Sequence, residues 1–220
     1  MIPIRDETPS RHFPLTTIIF IVLNGIIFLY QRQHAHYIYL RDISSLIPVR
    51  LFFSHDPKLY FTLFTYMFLH AGWLHFMSNM LFLWVFGNKV EDILGHMGFV
   101  YFYIITGVGA GLIHAVINPT SAIPTIGASG AISGILAAYL ILYPATRIVT
   151  LVPIFIFWQV VKIPAYIFIG FWFIFQFFYG FSSLAVESNV SGVAWFAHIG
   201  GFVVGILILP IFIFVKKLSR

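Results

Sequence analysis

Charged positions along this chain fall in short clusters, and long uncharged apolar runs separate them. A membrane-spanning helix needs about 20 mostly apolar residues. Residues 12–31 contain no Lys, Arg, Asp or Glu and predict span 1. Residues 32–58 are mixed, with six charges and three histidines, and predict a long loop with interfacial helix. Residues 59–88 are again uncharged, and span 2 is expected in their later two-thirds. The run 93–146 is too long for one crossing; "NPTSAIPTIG", with two prolines, splits it into spans 3 and 4. Residues 148–161 are too short to cross and are expected at the interface, while 163–186 and 188–215 predict spans 5 and 6 on either side of a polar "ESNVSG" turn.

Composition agrees with that pattern. Of 220 residues 60% are hydrophobic and 9% charged, against about 25% charged in a soluble domain. The expected fold class is an all-α membrane protein, a six-helix bundle with a long first loop, in one domain over residues 1–220 with short tails. No small-residue cleavage site follows a short apolar region near the start, so the first apolar run is expected to remain as an anchor. The absence of cysteine excludes disulfides, thiolate catalysis and cysteine metal sites.

The formal net charge of +5 reflects topology better than a nucleic-acid partner. Six spans put both termini on one side. That side holds Arg5, Arg11, Lys89, Arg147, Lys216, Lys217 and Arg220; the other holds Arg32, Arg41, Arg50 and Lys58, all in the first loop. The balance predicts cytoplasmic termini.

Polar residues within spans are costly, and each is a candidate site residue. Span 2 carries His70, His75 and Asn79 in "HAGWLHFMSNM", with Gly87 and Glu91 at its inner end; span 4 opens with "GASG", containing Ser129; span 6 carries His198 in "AWFAHIGGFVVG". Spans 2, 4 and 6 all enter from the outside, so His75, Asn79, Ser129 and His198 fall at similar depth. Taken singly, a membrane serine between glycines packs helices more often than it reacts. Jointly, these residues suit acyl transfer. A serine hydroxyl becomes nucleophilic when a base takes its proton, and His198 is available. No acid lies in the outer halves of these spans, so the unit is a dyad. His75 and Asn79, four apart, share a helix face and can donate to an oxyanion together with the Ser129 backbone N–H at the helix start. Glu91 is expected to bond backbone or hydroxyl groups near a helix end. Gly127 suits a tight turn. The pairs Gly130/Gly134 and Gly201/Gly205 are spaced to let spans 4 and 6 approach closely.

At these residues nearly the whole chain resembles the rhomboid family of intramembrane serine proteases. The resemblance rests on the spacing of His70, His75 and Asn79, the Gly87 and Glu91 pair, "GASG", "HIGGFVVG" and the order of six spans; "PIRD", "YPATRI" and "PAYIFIGFWFIFQ" also look like the family. It implies Ser129 as nucleophile, His198 as base, oxyanion binding by His75 and Asn79, and a structural His70. It also implies single-span membrane proteins as substrates, membrane lipid as surroundings, a prokaryotic plasma-membrane location, no cofactor and no metal. Span 5 and the "SSLAVESNVSG" loop would gate access, with Phe175, Phe178, Tyr179 and Phe181 as candidate gate residues. Two positions depart from some members. Phe61 and Thr62 stand where those carry Trp-Arg, and Ser133 stands where a tyrosine stacks on the histidine, so another aromatic of span 5 or 6 is needed as a wall.

Three rival readings follow from the same residues. A rhomboid-like protein that binds helices without cleaving them typically lacks the serine or the histidine. A metalloenzyme would have to use His70, His75 and His198, but His70 and His75 lie about 140° apart around a helix. A channel or transporter could use the proline-broken segment around Pro124.

Overall fold

The computed structural model describes residues 1–154, 157–185 and 194–218. Its helices are α1 (Leu15–Gln31), α2 (His34–Ser44), α3 (Pro48–Phe53), α4 (Thr62–Thr65), α5 (Trp73–Phe82), α6 (Asn88–Leu94), α7 (His96–Ile117), α8 (Ser129–Leu142), α9 (Ala165–Ala185) and α10 (Trp195–Leu218). Three of them, α7, α9 and α10, are long and apolar enough to cross a membrane, whereas α1 and α8 are apolar but shorter. The expected second span is built in pieces. A single π-helical stretch, Leu83–Gly87, joins α5 to α6 in one continuous run. Gly95, at φ 76°, then breaks the chain between α6 and α7, a conformation that favours glycine. The first third of the uncharged run 59–88, ahead of the expected span, forms short 3-10 turns and α4. The "ESNVSG" turn and most of the "SSLAVESNVSG" loop lie outside the described residues.

The largest difference from expectation is a small sheet. Residues 148–161, expected at the interface, have strand structure at their described positions. They belong to an antiparallel hairpin, β2 (Arg147–Ile154) with β3 (Phe157–Pro164), and the N-terminal strand β1 (Ile2–Asp6) adds to the other edge of β2. The runs "RIVTLV" and "QVVKI" are rich in β-branched residues, which favour pleated backbone. Buried polar contacts tie this sheet to the helices. Tyr139 Oη donates to Asp6 Oδ2 at 3.0 Å. Lys89, itself buried, donates to the Thr8 carbonyl and to Ser10 Oγ, and its ammonium lies 3.6 Å from Asp6. On the exposed rim Lys162 pairs with Glu7 at 2.5 Å, and that hydrogen bond holds the Glu7 carboxyl below its ordinary range.

Glu91 binds α6 to the start of α1. Its carboxylate accepts from the Thr16 and Thr17 N–H groups, both at 2.8 Å, and from Thr17 Oγ1 at 2.6 Å, with His96 Nδ1 also 2.6 Å away. Backbone N–H groups in the first turn of a helix lack intrahelical acceptors, so a carboxylate there is doubly favourable.

The centre of the bundle is α10, which packs along both α7 and α8. Close approach depends on glycine. A side chain at Gly205 would place its Cβ 2.6 Å from the Gly134 carbonyl oxygen, and one at Gly201 would fall on the Gly130 carbonyl. Gly130 and Gly134 leave no more room on the α7 side: a Cβ at Gly130 would meet Ala110 at 2.8 Å, and one at Gly134 would meet Thr106.

Candidate active site

Three helices begin at one end of the bundle, and their first turns carry the polar residues. Ser129 is the first residue of α8, His75 the third of α5, and His198 lies one turn into α10. The segment leading into α8 turns sharply at Gly127, where φ is 125°. A side chain there would be strained, and its Cβ would sit 2.7 Å from His75 Nε2. Gly127 therefore does two things: it supplies the turn, and it leaves space for the His75 ring beside Ser129. The Gly127 N–H donates to the Tyr66 carbonyl at 2.9 Å, which fixes the turn to the 3-10 segment ahead of α5.

Ser129 Oγ and His198 Nε2 are 2.7 Å apart. The other imidazole nitrogen, Nδ1, lies 2.7 Å from Gln176 Oε1 on α9. Two indoles flank the ring. Trp172 of α9 lies at 6.0 Å between centroids, tilted by 37°, and Trp195 of α10 stands edge-on at 6.3 Å. These rings supply the wall that Ser133 cannot; Ser133 instead donates to the Ser129 carbonyl at 2.6 Å.

His75 and Asn79 face the same cavity as Ser129 and His198, a space of about 720 Å³ that Gly127, Gly130, Phe82 and Trp172 also line. The Ala71 N–H donates to His75 Nδ1 at 3.4 Å, so the proton of a neutral ring belongs on Nε2, the nitrogen nearest Gly127. Asn79 Nδ2 donates one hydrogen to the His75 carbonyl at 2.7 Å. An amide nitrogen carries two, and the second remains for a ligand. At the start of α8 the first intrahelical bond is donated by Ile132 to the Ala128 carbonyl. The Ser129 N–H precedes that ladder, at the positive end of the helix dipole. These three residues line the cavity that holds Ser129 Oγ, and their donors suit a developing oxyanion there.

His70 is fully buried and does not line this cavity. Its ring packs edge-on against Phe28, Phe76 and His75. Gln31 clamps its backbone by donating to the carbonyl at 2.6 Å and accepting from the N–H at 3.1 Å. Glu91 lies at the far end of the run from α5 to α6. Among the described residues no cluster of three His, Asp or Glu side chains could hold a metal. Phe61 is exposed, and Thr62 is buried and donates to the Leu59 carbonyl at 2.5 Å. The gate candidates Phe175, Phe178, Tyr179 and Phe181 are exposed on α9, and none lines the cavity; Phe82 and Trp172 do. Gln176 closes the run "PAYIFIGFWFIFQ" and carries no role in the sequence reading. The signal for it was an amide side chain alone within the aromatic run "FWFIFQFFYGF".

The family model described as Rhomboid domain matches residues 57–214. The chain is similar to Rhomboid-like protein 11, chloroplastic, of Arabidopsis thaliana, with 37% identity over 46% of this chain and 34% of that protein. It is 32% identical to Rhomboid-like protease 5 of Toxoplasma gondii over 64% of this chain and 15% of that protein. It is also 28% identical to Inactive rhomboid protein 1 of Rattus norvegicus over 76% of this chain and 17% of that protein. The chain thus spans about a third or less of the length of these relatives. Together with the long apolar helices, the match makes this an integral membrane protein. Relatives named as chloroplastic and mitochondrial lend no support to the expectation of a prokaryotic plasma membrane.

Proposed function

The chain belongs to the rhomboid family, and from that premise we propose that it is an intramembrane serine endopeptidase working through Ser129 and His198. The observation that carries this reading is the 2.7 Å approach of Ser129 Oγ to His198 Nε2 inside a cavity lined by independent donors. In the proposed reaction Ser129 Oγ attacks a substrate carbonyl carbon as His198 Nε2 takes the hydroxyl proton. The oxyanion accepts from the Ser129 N–H, His75 Nε2–H and Asn79 Nδ2–H. Collapse breaks the C–N bond, and the leaving amine takes the proton from His198. Water then attacks the acyl-serine ester with His198 again as base, releasing the acid and restoring Ser129. Substrates are single-span membrane proteins, and no metal or cofactor takes part.

The sidedness follows from charge. Six crossings, with the π-bridged run from α5 to α6 as the second, put both termini on the side richer in Lys and Arg, which is the cytoplasm by the positive-inside rule. The starts of α5, α8 and α10 then face the outside, and cleavage occurs near the outer surface. The alternative of a helix-binding protein that does not cleave predicts binding without products. Purified protein is incubated in liposomes with a generic single-span substrate, wild type beside Ser129→Ala. Cleavage by the wild type alone is expected. Intact substrate with the wild type, or equal cleavage by Ser129→Ala, overturns the proposal.

A further inference from the structure

His198 is bonded through both ring nitrogens, and only one arrangement of protons serves the reaction. A neutral imidazole carries one proton, on Nδ1 or on Nε2. With the proton on Nε2 the ring cannot accept the Ser129 hydroxyl proton. The working tautomer therefore carries Nδ1–H, and a buried N–H needs an acceptor. Gln176 Oε1, at 2.7 Å, is that acceptor.

The amide is oriented by a second bond. Gln176 is only 7% exposed, and its Nε2 donates to the Trp172 carbonyl one turn earlier on α9 at 3.3 Å. The nitrogen thus points along its own helix and the oxygen toward the imidazole. The reversed amide would set N–H against Nδ1 and force the proton onto Nε2, the tautomer that cannot act as base. Trp172 and Trp195 restrict the ring from its sides, but indole carbons do not distinguish the two nitrogens. Gln176 does.

We infer that Gln176 is a positioning residue: its Oε1 accepts from His198 Nδ1 and fixes both tautomer and ring plane, so that Ser129, His198 and Gln176 form a neutral triad. The inference rests on the protease reading above. A neutral amide orients the ring without bringing a full charge into an apolar helix, where an unpaired carboxylate is far costlier. The imidazolium formed during proton transfer is then stabilised by a dipole rather than an anion. Among the described residues, the other titratable groups acting on His198 are His75 of α5 and His114 of α7.

The test uses the full chain in detergent with Gln176→Met, Gln176→Glu and Ser129→Ala. Cleavage is measured from about pH 5 to 9, and the His198 tautomer is read by ¹⁵N NMR, its signal assigned by its loss in His198→Ala. Wild type should show Nδ1–H alone. Gln176→Met keeps the volume and removes the acceptor. It should give mixed tautomers and lower kcat by about 10- to 100-fold at nearly constant KM, a fraction of what general-base catalysis contributes. Gln176→Glu should keep the tautomer. Its carboxylate favours the imidazolium, so activity should fall away on the acid side at a pH higher than in wild type by about one unit. Wild-type tautomer and kcat in Gln176→Met overturn the inference, as does an unmoved acid limb in Gln176→Glu; the second variant decides alone if the first does not fold. A wild type that cleaves nothing overturns the protease reading and this role with it. Cleavage by wild type that is indifferent to Gln176 overturns this role only.

Discussion

Ser129 and His198 are 69 positions apart in sequence and share a hydrogen bond, so neither has a separate contribution to lose. Ser129→Ala and His198→Ala should each reduce cleavage to background, and the double variant should be no slower than either, because residues acting as one unit are strongly non-additive. Single-turnover rates of the three proteins check this, and residual turnover in Ser129→Ala would count against the serine mechanism. Asn79 should behave differently. One of its amide hydrogens is spent on the His75 carbonyl, and in the proposed reaction it shares the oxyanion with two other donors. Loss of one oxyanion donor costs roughly 10²–10³ in rate, so Asn79→Ala should fall at or below that range and stay well above the dyad variants. Full rate on two unrelated substrates would reassign Asn79 to helix packing. Ser129, His198, His75 and Asn79 were legible in the sequence because lipid makes each intramembrane polar group expensive and the spans place them at one depth. Gln176 was not, although the same rule applied to it. Its partner lies on another helix, 22 residues away, and nothing in its own aromatic run indicates a nitrogen to be bonded. The rings that replace a tyrosine at Ser133 were anticipated as aromatics of spans 5 or 6, but which ones depended on helix rotation.

Helices α8 and α10 bring Ser129 and His198 together, and their approach is set by what glycine lacks. At Gly205 even a methyl group would sit 2.6 Å from the Gly134 carbonyl oxygen and 2.7 Å from its Cα. Gly205→Leu should push the helices apart two turns below His198. It should lower the unfolding temperature and cut kcat by about 10²-fold, the cost of a displacement near 1 Å. Unchanged stability together with unchanged turnover would show that the contact is not needed. Glu91 offers the contrary case, stability without chemistry. Glu91→Ala leaves the Thr16 and Thr17 N–H groups buried without their acceptor. Losing a hydrogen bond to a charged group costs about 1.5–3 kcal/mol. Thermal unfolding in detergent should register that loss, while kcat at a temperature where both proteins are folded should stay near wild type. A large kcat loss in well-folded Glu91→Ala would place Glu91 in the catalytic machinery. The helices were legible as uncharged runs, since each span has to satisfy its backbone internally. The β2–β3 hairpin was not. Residues 148–161 are apolar like the spans, and the third strand of the sheet, β1, comes from the opposite end of the chain.

Access to Ser129 is a property of the whole bundle. The cavity is walled on one side by α5, through Trp73, Leu74 and Phe82, and on another by α9, through Trp172. These two helices approach each other at Phe82 and Phe168, whose rings are 6.2 Å apart. By contrast α9 packs against α10 and α8 along its other face. A substrate helix arriving within the membrane would therefore part α5 from α9. It also has to unwind, because its scissile carbonyls are otherwise engaged in intrahelical bonds and lipid offers no replacement partners. Segments with Gly or Pro near their outer end unwind at least cost, and these should be preferred. Phe82 separates access from chemistry, since it lines the cavity and packs at a tilt against Phe168 and Phe86 rather than against His198. An aromatic pair contributes about 0.5–1.5 kcal/mol, so Phe82→Ala should speed cleavage of a helical single-span substrate by about 2- to 10-fold. It should leave an unfolded peptide, which needs no wide opening, near the wild-type rate. Trp172→Ala should not share the gain, because Trp172 also flanks the imidazole and its loss frees the base. Changes at Phe178 or Phe181, exposed and away from the cavity, should have little effect on either substrate. The measurement is cleavage in liposomes with cut sites mapped by mass spectrometry. Equal acceleration of helical and unfolded substrates by Phe82→Ala would remove the gate between α5 and α9. Cuts clustered at the cytoplasmic end of the substrate would reverse the orientation assigned to the bundle.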